Sequence, residues 1–341
     1  KLNIKILIIL ISIIIICVYV LISSITENNK FENLNLELLK KQEGSEIVLK
    51  KSIVRLSNNK KLKKYNLTSG FYAGIHEDFP GSGYIDFYEG NIIVISSRGV
   101  LAFKKNLNDI EENFQQIKNN INEFININQF QKSQWFSLKD LFIFKNKIFI
   151  SYTEEIKKDC WNTSVIYGEM KYTNIKFEKM FSPRECVHST NNIDREFNGH
   201  QSGGKIISFD DNHILLSIGD YRSRFLAQDT KSVNGKIIKI NVDNFSYEII
   251  SMGHRNAQGL FFDKENNIIL ETEHGPKGGD EINLIPLDQV KSSKILNYGW
   301  AIASAGEHYI PNEEKVKKYP LYKSHSEHGF IEPLKSFVPS I

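Results

Sequence analysis

The alternation of apolar and polar residues changes character twice along the chain. From Ile6 to Ile22 every residue is apolar except Ser12 and Tyr19, and Lys1 and Lys5 precede the run. About 17 such residues lie at the short end of what spans a bilayer, and basic flanking residues orient that end to the cytoplasm. The pattern predicts a membrane anchor or signal segment over 1–26, with the remainder exported. A cleaved signal peptide is the rival reading, against which Ser23-Ser24-Ile25-Thr26 is a poor cleavage site. Residues 27–65 are rich in Lys, Asn and Glu and read as a polar juxtamembrane spacer with one short helix. From Asn66 onward short β-branched and aromatic runs alternate with turn residues, so 66–341 reads as one β domain.

Within that domain four segments share a form: an aromatic residue, a polar turn containing Asn, a β-branched run, then Ser or Thr. They begin at Phe87, Phe144, Phe209 and Phe262, and each predicts a β-hairpin. The first β-branched residues after the turns, Ile92, Ile148, Ile214 and Ile268, are spaced by 56, 66 and 54 residues. That period suits a four-stranded propeller blade with generous loops, which needs about 40–50 residues. A helical pattern is weak and confined to 108–126, which argues against a βαβ fold. The expected fold is all-β, a propeller. Four visible repeats imply a truncated one, because a propeller closes to hide its edge strands. The chain starts at Lys1 without Met and stops at Ile341 in an apolar stretch, which points the same way.

Charge and cysteine content narrow the partners. With 43 Lys+Arg against 40 Asp+Glu, no basic excess is available to neutralise a run of phosphates, so nucleic acid is excluded as a partner. Three Cys cannot staple a small scaffold. Cys17 sits in the apolar run as a small hydrophobe. Cys160 and Cys186 form an even pair in an exported, oxidising setting: either they close a loop between two strands or they stay as thiols.

Three segments are richer in special residues than hairpins require. They are Gly199-His200-Gln201-Ser202-Gly203-Gly204, Gly253-His254-Arg255-Asn256-Ala257-Gln258-Gly259, and Glu273-His274-Gly275-Pro276 running on to Asp280-Glu281-Ile282-Asn283, followed by Asn297-Tyr298-Gly299-Trp300. Taken singly, each has a plainer reading. A His before Gly-Gly is a turn residue, Arg255 and Asn256 cap strands, Gly275-Pro276 makes a turn and Asp280-Glu281 a solvated loop. Their joint occurrence at matching ends of successive hairpins favours a site at the mouth of a central channel.

These segments, with Ile218-Gly219-Asp220 and Gly235-Lys236-Ile237-Ile238-Lys239-Ile240-Asn241, resemble the glucose/sorbosone dehydrogenase family in order and spacing, closely over 136–341 and weakly before. That family comprises the soluble quinoprotein glucose dehydrogenases and aldose sugar dehydrogenases. The resemblance implies a six-bladed propeller, of which four to five blades are present here, binding pyrroloquinoline quinone (PQQ) and Ca²⁺. It implies an enzyme oxidising the C1 hydroxyl of an aldose, with His200 as general base and Asp220 as the carboxylate orienting it. Arg255 would stabilise charge on the quinone, with Asn256 and Gln258 as further cofactor contacts. The carbonyls of Gly275 and Pro276 match Ca²⁺ ligands, and Glu281 and Tyr298 match a second, structural Ca²⁺ site. A sugar substrate and a respiratory electron acceptor are the implied partners, with a homodimer left open. The implied location is the periplasmic side of a bacterial inner membrane, anchored through the N-terminal helix, or secretion.

Two departures stand out. Ala257 occupies a position where the family commonly has Pro. The Lys and Arg residues that bind the PQQ carboxylates are expected beyond Ile341. The rival function is a non-catalytic propeller that binds a ligand or protein partner. A Ca²⁺-assisted hydrolase would need several carboxylates converging on the channel, and the sequence gives no reason to expect that cluster.

Overall fold

The strand His213–Ile218 shows how the hydrophobic pattern builds the molecule. Its sequence, His-Ile-Leu-Leu-Ser-Ile, is apolar on both faces, as a strand covered on both sides requires. Ile214, Leu216 and Ile218 face one way and pack on Phe149, Val165 and Phe181. Leu215 faces the other way and packs on Leu260, Ile269 and Ile285. Each of these fully buried side chains contributes roughly 1.5–3 kcal/mol. One strand therefore glues two neighbouring sheets to its own.

The computed structural model describes residues 6, 9–23, 25, 46–48, 50–66, 83–105, 112–125, 129, 137–290 and 295–337. The chain divides into two compact units, Lys1–Gly83 with Glu89–Lys118, and Tyr84–Tyr88 with Asn119–Ile341.

The second unit holds three antiparallel sheets in chain order. The first runs Glu178–Phe181, Cys160–Glu169, Lys147–Lys157, Leu138–Phe144. The second runs Gly203–Ser208, His213–Ile218, Lys236–Asn241, Tyr247–Met252, with Leu296–Asn297 added in parallel. The third runs Ala257–Asp263, Ile268–Glu273, Asp280–Pro286, Lys335–Phe337. Three of the four expected hairpins lie here. In the first, Lys145 and Asn146 both adopt positive φ, the two-residue turn that matches strand twist. The sheets are mostly β and stack through their faces; no sheet among the described residues closes on itself.

The first unit contains a sheet in which Glu46–Ile47, Phe114–Gln116, Leu101–Lys104 and Asn91–Ser96 are neighbours, around Ile47, Val94, Val100, Ala102 and Phe114. A separate hairpin pairs Lys50–Arg55 with Lys61–Asn66. Both place strands in the described part of the expected spacer over 27–65, of which residues 27–45 lie outside the described residues; Asn59 at φ 61° sits in the hairpin turn. The weak helical pattern over 108–126 is likewise overruled: Phe114–Gln116 is a strand and Ile121–Glu123 a single 3₁₀ turn.

Residues 9–23 are helical, with exposed apolar side chains. No helix among the described residues is long and apolar enough to cross a membrane, and the rest of the segment 1–26 expected to do so lies largely outside them. Cys160 and Cys186 are disulfide-bonded, which decides between the two readings of that pair; Cys17 is a free, exposed thiol.

Candidate active site

Strand ends of the second and third sheets converge on a cleft of about 610 Å³. Its lining includes His200 and Gln201 before the second sheet, Arg222 after its second strand, and Arg255, Asn256 and Gln258 entering the third sheet. His274, Gly275, Pro276 and Asp280 come from the loop after Ile268–Glu273, and Tyr309 from a later loop. All six cleft-side residues singled out in the sequence, His200, Arg255, Asn256, Gln258, Gly275 and Pro276, therefore share one space.

Tight backbone contacts hold these loops. A Cβ on Gly219 would lie 2.1 Å from Gln201 O, and one on Gly275 would lie 1.7 Å from Gly279 O, so both loops close only around glycine. Asn256 Oδ1 accepts from Gly203 N–H (3.1 Å), and Asn256 O accepts from His274 N–H (3.2 Å), tying the three segments together.

Burial pushes the His200 pKa down to about 4, and the positive charges of Lys139 and Arg222 add to the effect. The ring is thus neutral at pH 7 and able to accept a proton. Asp220 is fully buried, and burial pushes it up to about 6 against the opposing pull of Arg255. Its oxygens accept from Trp300 Nε1–H (2.7 Å) and Arg222 N–H (2.8 Å). With the Gln201 amide turned to match its neighbours, Nε2 donates to Asp220 Oδ1 (3.0 Å) and Oε1 accepts from Arg255 Nη2 (2.8 Å) and Arg222 Nε (3.1 Å). Asp220 therefore organises Trp300, Gln201 and the two arginines.

Arg255 is 6% exposed, lies over the Trp300 ring with 5.4 Å from guanidinium carbon to centroid, and donates from Nη1 to His274 O (2.7 Å) and Gly275 O (2.5 Å). Burial holds its pKa below the usual arginine value. This bears on the carbonyls matched to Ca²⁺. Gly275 O already accepts from a guanidinium, and Pro276 O accepts from Gly279 N–H (2.9 Å). A dication on Gly275 O would face the Arg255 charge, so this arrangement does not fit a Ca²⁺ ligand pair. Glu281 and Tyr298 do not line the cleft. Tyr298 is buried, donates to Leu284 O (2.6 Å) and stacks on His254, with ring centroids 5.0 Å apart. Glu281 lines an adjoining hollow of about 470 Å³ with Glu273, Thr272 and Gln258.

Behind that hollow lies a cluster of which sequence reasoning singled out only Glu281 as a site residue. Glu271 and Glu273 on one strand pair across the ladder with Asn283 and Glu281 on the next, so all four share a sheet face. They are 0, 6, 0 and 6% exposed, respectively. Burial, and then the charge of Glu273, hold Glu271 and Glu281 well above the ordinary carboxylate range. The signal was present as Glu-x-Glu and Glu-x-Asn on paired strands. Lys139, Arg222 and Tyr309 were also missed, because nothing local marks a residue that reaches a site from another loop.

The family model for glucose/sorbosone dehydrogenases matches residues 136–341. The chain belongs to that family. Among curated relatives of this dehydrogenase-family chain, aldose sugar dehydrogenase YliI of Escherichia coli is 27% identical over 179 residues, covering 48% of this chain and 44% of the relative. Quinoprotein glucose dehydrogenase B of Acinetobacter calcoaceticus is 34% identical over 131 residues, 30% of this chain and 26% of the relative. The chain spans less than half the length of the curated relatives it matches. A crystal structure of glucose dehydrogenase superposes with a TM-score of 0.55 at 21% identity, covering 75% of this chain and 72% of that one. The PQQ-bound aldose sugar dehydrogenase of Streptomyces coelicolor gives 0.51 at 16%, covering 76% and 72%. At these identities the likeness establishes the fold, that of the sugar dehydrogenase β-propellers.

Proposed function

We propose that this family member is a PQQ-dependent aldose dehydrogenase whose active site is the cleft holding His200 and Arg255. The observation that carries the reading is a neutral imidazole facing the same space as two guanidiniums and several amide donors. That donor set suits PQQ, a planar ortho-quinone with three carboxylates: Arg222, Arg255, Asn256 and Gln258 would hold it, and Trp300 would keep Arg255 in place. When bound, PQQ supplies a two-electron acceptor for the hydrogen leaving C1 of the sugar.

The chain's own residues supply the rest. His200 takes the proton of the C1 hydroxyl, a role that contributes roughly 10²–10⁴-fold. Its lowered pKa keeps it free to do so from neutral pH down to about 4. Arg255, buried and charged, offers N–H donors where negative charge builds, an electrostatic contribution worth about 10²–10³-fold per donor. Asp220, Gln201 and Trp300 position that guanidinium. The products are the sugar lactone and two electrons for a respiratory acceptor. A six-bladed ring and export across a bacterial inner membrane belong to this proposal as family properties.

The test is to supply the full-length protein, including any residues beyond Ile341, with PQQ, with and without Ca²⁺, and follow dye reduction over a panel of aldoses. Turnover lost in His200→Ala with PQQ absorbance retained supports the assignment. PQQ binding without turnover on any aldose sinks the substrate class, and failure to bind PQQ sinks the enzyme reading in favour of a ligand-binding propeller.

A further inference from the structure

The buried carboxylates beside the cleft carry an inference of their own. Glu271, Glu273, Glu281 and Asn283 come from one face of a hairpin, and His254 from the preceding loop closes over them. Three carboxyl groups out of water are costly as anions unless protons or a positive charge neutralise them. Glu273 is well matched: it accepts from Arg255 N–H and from Asn283 Nδ2 (3.0 Å). Glu271 is not. Its Oε2 accepts from Asn283 Nδ2 (2.9 Å), but its Oε1 has no partner among the described residues, and neither does Asn283 Oδ1. Both residues are completely buried.

The geometry around His254 has a second peculiarity. Its Nε2 sits 2.8 Å from Ser251 Oγ, a partner able to accept the ring proton. Its Nδ1 then points at acceptors, 3.3 Å from Glu273 Oε1 and 3.7 Å from Glu271 Oε2. The first separation matches the edge of a coordination polyhedron and the second is slightly longer, since ligands about 2.0–2.2 Å from an ion lie about 3.0–3.6 Å apart. A histidine whose far nitrogen is tied to a second group is the usual arrangement at metal sites. The hollow lined by Glu273 and Glu281 gives an ion its way in.

We propose that His254, Glu271 and Glu273 form a buried site for a first-row divalent cation such as Mn²⁺ or Zn²⁺. Imidazole beside carboxylates favours those ions over Ca²⁺, which takes oxygen ligands. Glu281 is not a ligand of this ion, which separates the site from the Ca²⁺ site that the resemblance draws through Glu281 and Tyr298. Because His254 precedes Arg255 and Glu273 accepts the Arg255 amide, the ion fastens the third sheet to the loop that presents Arg255 and Asn256 to the cleft. It is a structural ion, independent of PQQ.

The full chain, stripped with chelator and free of PQQ and sugar, is titrated with Mn²⁺, Zn²⁺ and Ca²⁺. Bound metal is counted by mass spectrometry and the melting temperature is followed. One equivalent of Mn²⁺ or Zn²⁺, a melting point raised by several degrees, and at least tenfold weaker binding in Glu271→Gln but not in Glu281→Gln are expected. If Glu271→Gln does not fold, Ser251→Ala carries the test through about tenfold weaker binding. Absence of stoichiometric metal, binding of Ca²⁺ alone, or unchanged affinity in Glu271→Gln (or in Ser251→Ala where that stands in) would overturn the site. None of these readouts depends on dehydrogenase activity, so the two proposals fail separately.

Discussion

Two polar sites share adjacent residues: Arg255 lines the cleft and His254 the carboxylate cluster, and at the next strand end His274 lines the cleft while Glu273 enters the cluster. The loops at the two strand ends send Arg255 and His254 to different sites. On the cleft side guanidiniums, amides and a neutral imidazole gather around open space. On the other Glu271, Glu273 and Glu281 gather in a nearly dry layer. Burial acts on both through the same rule, disfavouring the charged form, with opposite results. It makes His200 a ready proton acceptor and leaves Glu271 and Glu281 to take up either a proton or a cation.

The largest effect that would break this comparison is catalytic. His200→Ala should lower turnover about 10³-fold with PQQ binding intact, as steady-state kinetics and cofactor absorbance would show. Turnover within threefold of wild type would remove His200 from the cleft chemistry. On the other side, Glu271→Gln in chelator-stripped protein should raise stability by about 1–3 kcal/mol in urea unfolding at neutral pH, because burial disfavours ionising Glu271 and the glutamine has no proton to hold. A loss of similar size would mean that the carboxylate is already neutralised by its protein neighbours.

Smaller effects concern pH. His200, held at about 4 against 6.5 unfolded, binds its proton later in the folded state, so it costs stability as pH falls from about 6.5 to 4. Asp220, held at about 6 against 3.8, does the reverse, costing stability as pH rises from about 4 to 6. The two slopes oppose each other. Asp220→Asn should therefore make stability climb more steeply with pH between 4 and 6, by up to one proton in the linkage slope, and His200→Ala should flatten it. Parallel curves for wild type and Asp220→Asn would show that Asp220 is ionised throughout. Least of all, Lys139→Met should move the acid limb of activity upward by a few tenths of a pH unit, since Lys139 is the second contributor to the His200 shift after burial.

Much of this was legible in one dimension. The hairpin turns at Lys145-Asn146 and Asn267 are written in local residue chemistry, and the buried strand His213–Ile218 in a continuous apolar run. The cleft residues were legible because their motifs fall at corresponding strand ends. What was not legible depended on residues distant in sequence. Trp300, eighty positions after Asp220, donates to its Oδ2. Arg255 donates to Gly275 O, twenty positions on. The carboxylate cluster emerged only when pairing set Glu273 opposite Glu281 and Glu271 opposite Asn283.

The sequence by itself determined the β-hairpins, the family and the chemical types gathered at the strand ends, because turn preference, alternation and motif spacing act over a few residues. Only the tertiary structure decided which charges meet and which are dried. Those depend on strand register and on the packing of one sheet against the next, and electrostatic energy follows distance and burial rather than position in the chain.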